Sequence, residues 1–89
     1  MHVEIYTRAY CPFCERAKEL LRIKGVRFTE YQVNDNPQHA AELRRRSAGE
    51  SVPGIFIADR LIGGCAELFE LDESGGLDRL LSVSSGSPR

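Results

Sequence analysis

The sequence contains no tryptophan, only three cysteines and two histidines, and almost no excess of charge of either sign. A net charge of -1 over 89 residues argues against a general nucleic-acid binder, which carries a clearly basic surface. Three cysteines are too few for the disulfide framework of a small secreted domain. No apolar run approaches the roughly 20 residues that a membrane-spanning helix needs. These absences leave a small globular domain, with no nucleic acid or membrane as its partner.

The first residues, MHVEIYTR, also lack the basic segment and apolar stretch that make up a signal peptide. We therefore expect no export signal, a cytoplasmic location and thiols that stay reduced. The length fits one domain with a modest core. A composition of 42% hydrophobic and 28% charged residues is ordinary for such a domain.

Hydrophobic periodicity predicts the order strand, helix, strand, helix, strand, strand, helix. We expect strands at 2–7, 26–33, 55–57 and 61–64, helices at 12–24, 37–47 and 65–74, a tight turn at 59–60 and a last helical turn at 77–81. Gly25 ends the first helix and Asn36 caps the second, whose arginines at 44–46 form a solvated face. A βαβ start makes the first two strands parallel, and a hairpin joins the last two. The sequence thus predicts an α/β fold with a four-stranded mixed sheet covered by helices.

Two cysteines, Cys11 and Cys14, stand three apart in the segment TRAYCPFCERAKELL. A zinc site needs about four ligands, and the remaining candidates, Cys65, His2 and His39, form no second pair. Covalent haem attachment needs histidine directly after the second cysteine, which is absent here. A structural disulfide would close a very short loop and contribute roughly 2 kcal/mol before strain. A redox-active pair without a metal is the remaining interpretation.

The neighbouring residues support this interpretation because thiolate chemistry depends on local charge and hydrogen bonding. Cys11 is placed as the N-cap of the first helix, with Pro12 at the first helical position. The amides of Phe13 and Cys14 then point towards the Cys11 sulfur, and the helix dipole and Arg8 add positive potential. We expect Cys11 to be the nucleophile, supported by Arg8 and Pro12, and Cys14 to be the resolving thiol.

Three motifs in this order, YCPFC after the first strand, then SVPGIFI and IGGC, resemble the glutaredoxins, in particular the small bacterial dithiol type. The resemblance covers roughly residues 3–81. It implies a thioredoxin-like fold (β-α-β-α-β-β-α), reduction of protein disulfides and glutathione mixed disulfides, and glutathione as reducing co-substrate with no bound cofactor. We expect residues 1–82 to form the glutaredoxin domain and residues 83–89 to form a disordered tail.

The resemblance also implies a binding site for glutathione. Val52-Pro53 looks like the family's cis-proline loop, where an extended peptide can pair with the backbone. Glycines before Cys65 open the third helix, whose N-terminal amides attract a carboxylate. The glutathione-binding residues implied are Arg8, Phe13, Ser51, Val52, Pro53, Gly64, Cys65, Ala66 and Glu67. Ala66 departs from the family pattern, because many relatives have two acidic residues here and this sequence has only Glu67.

The implied mechanism starts with attack of the Cys11 thiolate on a glutathione mixed disulfide, and the expected partners of the monomeric protein are glutathione and disulfide-containing or glutathionylated proteins. Two alternatives stay open. One is a thioredoxin-like electron donor to a dedicated partner such as a ribonucleotide reductase, although the chain has no tryptophan and has Pro12 after Cys11. The other is a carrier of a [2Fe–2S] cluster held by Cys11 of two subunits and two glutathiones. Pro12 and the competing Cys14 disfavour this second alternative in the family.

Overall fold

The computed structural model describes residues 2–47, 49 and 51–85, with the backbone alone described for 82–85. The elements in chain order are β1 (Val3–Thr7), α1 (Pro12–Ile23), β2 (Thr29–Gln32), α2 (Pro37–Ser47), β3 (Gly54–Ile57), β4 (Arg60–Gly63), α3 (Cys65–Glu73) and α4 (Gly76–Ser85). None of the helices in these ranges combines the length and the apolarity that a bilayer-spanning helix requires.

The four strands form one mixed sheet in the order β2-β1-β3-β4. β1 runs parallel to β2 and antiparallel to β3, and β3 and β4 form an antiparallel hairpin. β1 is therefore a central strand, and all five of its residues are buried. The predicted α/β architecture with a mixed, thioredoxin-like sheet is confirmed.

Side chains of β1 alternate between two cores, one on each face of the sheet. Val3 and Ile5 join the larger core, which α1, α3 and α4 cover with Ala17, Leu20, Leu21, Leu68 and Leu77. Tyr6 faces the smaller core, together with Leu43 of α2 and Phe56 of β3. The sheet is thus enclosed by helices on both faces, which explains why β1 and β3 carry little exposed surface.

Local sequence signals place the helix ends where we expected them. The Asn36 side chain accepts a hydrogen bond from the Gln38 N–H (2.9 Å), as a helix N-cap does. Gly25 follows α1 with a φ of +73°, a left-handed conformation that glycine adopts without steric cost.

The start of β2 and the hairpin turn differ from the prediction. β2 covers only Thr29–Gln32, because Val26 and Phe28 pack against the core from the preceding loop without pairing to β1. The hairpin turn lies one residue earlier than expected, at Ala58 and Asp59, with φ values of +51° and +66°. Two successive positive φ values match the twist of a two-residue hairpin. Arg60 consequently belongs to β4.

The last helix is longer than the predicted turn at 77–81. α4 extends from Gly76 to Ser85, because Leu77, Leu80 and Leu81 stand at helical spacing and pack on the larger core. Residues 86–89 of the expected tail lie outside the described residues, so the boundary at residue 82 stays a prediction.

The expectation of a solvated arginine face on α2 is wrong for Arg46. Its guanidinium lies over the ring of Phe56 at 3.9 Å. It also donates to the buried carboxylate of Glu4 (2.9 Å) and to the Tyr6 hydroxyl (2.9 Å). The hydrogen bond from Arg46, opposed by burial, holds the pKa of Glu4 below its ordinary value. Arg46 thereby anchors α2 to β1 and β3 of the sheet.

Candidate active site

Cys11 caps the N-terminus of α1, as the sequence predicts. Its backbone is extended, and its sulfur accepts a hydrogen bond from the Cys14 N–H at 3.2 Å. Pro12 occupies the start of the helix, where its missing N–H leaves no intrahelical bond unmade. Cys11 is half-buried as a residue, whereas a fully buried cysteine would be closed to a reactant. We expected the amides of Phe13 and Cys14 to reach this sulfur. In the described part of the chain, the Cys14 amide does so and the Phe13 amide does not.

Cys14 lies one turn further along α1 and has no exposed surface. Burial, reinforced by hydrogen bonding to Cys11, raises the pKa of the Cys14 thiol to about 12. The backbone N–H of Arg8 acts in the opposite direction and partly offsets this. The two cysteines are therefore different in kind, since one is accessible and the other is buried and neutral.

A cleft of about 540 Å³ opens beside Phe13, which lies between the two cysteines of α1 in the chain, and extends along the loop before β3 and the start of α3. Cys11 and Cys14 themselves do not line it. Eight of the nine residues that the resemblance implies for glutathione line this cleft: Phe13, Ser51, Val52, Pro53, Gly64, Cys65, Ala66 and Glu67. Sequence reasoning missed Ser47, Gly49, Gly54 and Leu61, which also line the cleft. Gly63, one of the two glycines expected to open the third helix, lines it as well. Leu61 lies on β4 and is an exposed apolar residue. The alternation of side chains along a strand could have predicted its outward position.

Val52 and Pro53 form one wall of the cleft. The peptide bond between them is cis, as predicted, and Pro53 is buried. Within the described residues, the backbone N–H and C=O of Val52 make no hydrogen bond, whereas β3 begins two residues later. The backbone of Val52 is thus available to an extended ligand in the cleft.

The opposite wall is the N-terminus of α3. The Gly64 N–H donates to the Glu67 carboxylate (2.8 Å), so Glu67 caps its own helix. Gly63 has a φ of +124°, and a Cβ added there would meet the Cβ and Cγ of Glu67 at 2.8 Å. Only glycine at position 63 allows Glu67 to fold back in this way.

Two positive side chains differ in how they relate to the cysteines. Arg8 is exposed and does not line the cleft, and what reaches Cys14 is its backbone N–H. Arg16, which sequence reasoning missed, has its guanidinium 6.0 Å from the centre of the Phe13 ring. Burial raises the pKa of Cys65, while Arg16 opposes this change, so Arg16 lies within electrostatic reach of the cleft. Residues 13 and 16 are three apart on a helix, and this spacing could have predicted that Arg16 lies beside Phe13.

Comparison with known proteins gives consistent results. A family model described as Glutaredoxin matches residues 3–62. The chain is 50% identical over 80 residues to Glutaredoxin 3 of Escherichia coli (strain K12), covering 90% of this chain and 96% of that protein. It is 48% identical over 81 residues to a glutaredoxin of Pseudomonas aeruginosa, covering 91% of this chain and 96% of that protein.

Solved structures agree with this relationship. The solution structure of a glutaredoxin from Brucella melitensis is similar with a TM-score of 0.80 and 42% identity, covering all of this chain and 95% of that one. A buckwheat glutaredoxin–glutathione complex is similar with a TM-score of 0.81 and 26% identity, covering 90% of this chain and 76% of that one. The accessible cysteine at a helix start, the buried second cysteine and these relatives all agree. The chain belongs to the glutaredoxin family and is a glutathione-dependent thiol–disulfide oxidoreductase.

Proposed function

We propose that Cys11 is the nucleophile and Cys14 the resolving thiol, and that the cleft binds glutathione. The observation that carries this assignment is the difference in exposure between the two residues. Cys11 is half-buried and accepts an N–H at the positive end of α1, whereas Cys14 is fully buried. A thiolate at Cys11 is stabilised by that amide and by the helix dipole.

Reduction of a glutathione mixed disulfide then needs Cys11 alone. The Cys11 thiolate attacks the glutathione sulfur, a bond forms between the two, and the substrate thiolate leaves and takes up a proton. A second glutathione thiolate attacks the glutathione sulfur on Cys11, which regenerates the Cys11 thiolate and gives glutathione disulfide. A protein disulfide needs Cys14 as well, because Cys14 attacks the mixed disulfide on Cys11 and leaves a Cys11–Cys14 disulfide.

Each wall of the cleft has a part in holding glutathione. The backbone of Val52 pairs with the extended tripeptide, Phe13 supplies an apolar wall, and the N-terminal amides of α3 attract the γ-glutamyl carboxylate. Arg8, exposed just before Cys11, binds the glycyl carboxylate or supports the thiolate. Residues Ser51, Pro53, Cys65, Ala66 and Glu67 complete the contact surface. The buckwheat structure, which contains glutathione, supports this ligand.

The setting of the reaction follows from the same chemistry. We place the protein in the cytoplasm, as a monomer that draws electrons from glutathione and passes them to disulfide-containing or glutathionylated proteins. A sequence with only three cysteines fits a compartment in which thiols stay reduced. The comparisons favour neither the cluster carrier nor the dedicated electron donor.

The test compares Cys11→Ser, Cys14→Ser and Cys65→Ser on two substrates, a small glutathione mixed disulfide and a protein disulfide. Cys11→Ser should lose activity on both, and Cys65→Ser should retain most of both. Cys14→Ser should keep activity on the mixed disulfide and lose most activity on the protein disulfide. Equal loss on both substrates in Cys14→Ser would contradict the role given to Cys14.

A further inference from the structure

Lys18 is a buried cation of α1 that the steps above do not use. Only 8% of the residue is exposed. Its ammonium lies 3.0 Å from the Glu30 carboxylate of β2 and 3.1 Å from that of Glu15. The Thr7 hydroxyl of β1 donates to the same Glu30 oxygen at 2.7 Å. The Lys18 ammonium is therefore held in one place by two carboxylates, one of which is itself fixed by the Thr7 hydroxyl.

This position of Lys18 is one helical turn after Cys14 of the redox pair. Residues 11, 14, 18 and 21 follow one stripe of α1, and Lys18 is one turn after Cys14, at the spacing where helical side chains are neighbours. Leu21, the next residue of the stripe, is fully buried in the core. Burial is the main cause that raises the pKa of Cys14, and the charge of Lys18 is among the influences that lower it. The ammonium therefore acts on the thiol that must be activated in the second step.

Stability alone gives little reason for a charge at this position. A buried ion pair gains little over apolar side chains of similar size, because desolvation offsets the attraction. Desolvation works against the charged form of Lys18, but hydrogen bonds to Glu30 and Glu15 outweigh it and raise the Lys18 pKa. Lys18 thus stays protonated over the whole working range and is a fixed positive charge.

We propose that Lys18 is a positioning residue for the resolving step, whose ammonium stabilises the thiolate that Cys14 must form before it attacks. This inference rests on the roles proposed above for Cys11 and Cys14. In the step, the Cys14 thiol loses its proton to water and its sulfur attacks the Cys11 sulfur. The Cys11–Cys14 bond forms, the bond from Cys11 to glutathione breaks, and the glutathione thiolate leaves with the electron pair and takes a proton.

The other charged groups around Cys14 do not replace this function. The groups that act on its thiol are Cys11, the backbone N–H of Arg8 and Lys18. Glu15 of α1 and Glu30 of β2 affect the Cys14 thiol through their ion pairs with Lys18. From α3, the Cys65 thiol interacts with Cys11 rather than with Cys14. Among the main influences on the Cys14 thiol, Lys18 is thus the one that comes from a cationic side chain.

The experiment measures release of glutathione from protein glutathionylated at Cys11, in a Cys65→Ser background, without added thiol and across a range of pH. Lys18→Met keeps the length of the side chain and removes its charge. We expect release at pH 7 to fall about three- to tenfold, with the pH profile displaced upwards by about 0.5–1 unit, since one unit of pKa is tenfold in thiolate. Lys18→Arg, which keeps the charge, should restore most of the rate.

Two variants separate this role from a structural one. Glu30→Gln breaks the same ion pair but leaves the cation, so release should not slow. Lys24→Met is the matched control, because Lys24 also pairs with two carboxylates, Asp72 at 2.7 Å and Asp78 at 3.0 Å, but follows the far end of α1. It should release glutathione at the rate of the parent.

The inference is overturned if Lys18→Met gives the parental rate and pH profile, or if Glu30→Gln slows release as much as Lys18→Met does. These outcomes differ from failure of the proposed function. In that case the parent protein itself releases no glutathione, or releases it equally fast when Cys14 is replaced by serine.

Discussion

The carboxylate of Glu67 accepts a hydrogen bond from the Gly64 N–H at 2.8 Å, at the point where α3 opens the cleft. Glu67, which we propose as part of the glutathione site, therefore uses one oxygen to cap its own helix. The Gly64 N–H is thus already satisfied, and a ligand carboxylate at this N-terminus would meet the other amides of the first turn. We propose that the second oxygen of Glu67 meets the ammonium of the γ-glutamyl group, since Ala66 contributes no charge.

Ala66→Asp should tighten the apparent affinity for glutathione, because it adds a carboxylate at the rim of the cleft while Glu67 stays in its capping position. Residue 66 is exposed, and a screened ion pair is worth about 0–1 kcal/mol, or up to roughly fivefold. Steady-state kinetics with varied glutathione measure the change. Ala66→Asn, similar in size and uncharged, is the control. Unchanged or weaker affinity in the aspartate variant would show that Glu67 already satisfies the ammonium.

Gly63→Ala should impair both stability and glutathione use. The φ of +124° disfavours any L side chain, and the new Cβ would displace Glu67, whose Cβ lies 2.8 Å away. Gly25→Ala is the control, because Gly25 also has a positive φ, +73°, but open space around it. A left-handed conformation costs each alanine about 1–2 kcal/mol, whereas a several-fold rise in KM for glutathione should occur only in Gly63→Ala. Chemical unfolding and kinetics give the two quantities, and equal KM values would refute the link between Gly63 and the cleft.

Arg46→Met should destabilise the fold by about 3 kcal/mol at neutral pH, because it leaves the buried carboxylate of Glu4 without its cation. Arg45→Met, at an exposed pair with Glu42 on the same helix, should change stability by less than about 0.5 kcal/mol. Urea unfolding of both variants checks this contrast. A small effect for Arg46→Met would mean that Glu4 is compensated by Tyr31, whose hydroxyl donates to it at 3.1 Å.

The same pair predicts how stability depends on pH. Since the pKa of Glu4 is lowered in the folded protein from an ordinary value of 4.5, its contribution is present above that value and is lost as pH falls through the folded pKa. In Arg46→Met the carboxylate has no cation, and its protonation on acidification relieves the buried charge. The difference in unfolding free energy between parent and Arg46→Met should therefore narrow below about pH 4.5. A constant difference down to pH 3 would contradict the assignment.

The features that the sequence predicted well depend on residues close together in the chain. Cys11 and Pro12 at the start of α1 and Asn36 before α2 are capping patterns that act within one turn. The cis bond before Pro53 and the grouping of the cleft residues came from the family resemblance, which the comparisons confirm.

The features that it missed depend on contacts between distant segments. Arg46 belongs to a run of three arginines that reads as solvated, but it meets Glu4 across 42 positions of the chain. Lys18 stands among charged residues of α1 and is buried only because Glu30 of β2 comes to lie beside it. Helical periodicity cannot identify Glu4 or Glu30 as a partner. The position of α2 on β1, and of α1 on β2, is a property of the assembled fold.

Cys11 and Cys14 should differ in reactivity, and the rate at which each thiol is alkylated measures this difference most directly. Reduced protein in a Cys65→Ser background is treated with limiting iodoacetamide at neutral pH, and the site of modification is followed by peptide mass spectrometry. Because Cys11 is accessible and Cys14 is buried with a pKa raised to about 12, Cys11 should be modified almost completely before Cys14 reacts. Modification of Cys14 at a rate equal to or above that of Cys11 would contradict the assignment of nucleophile and resolving thiol.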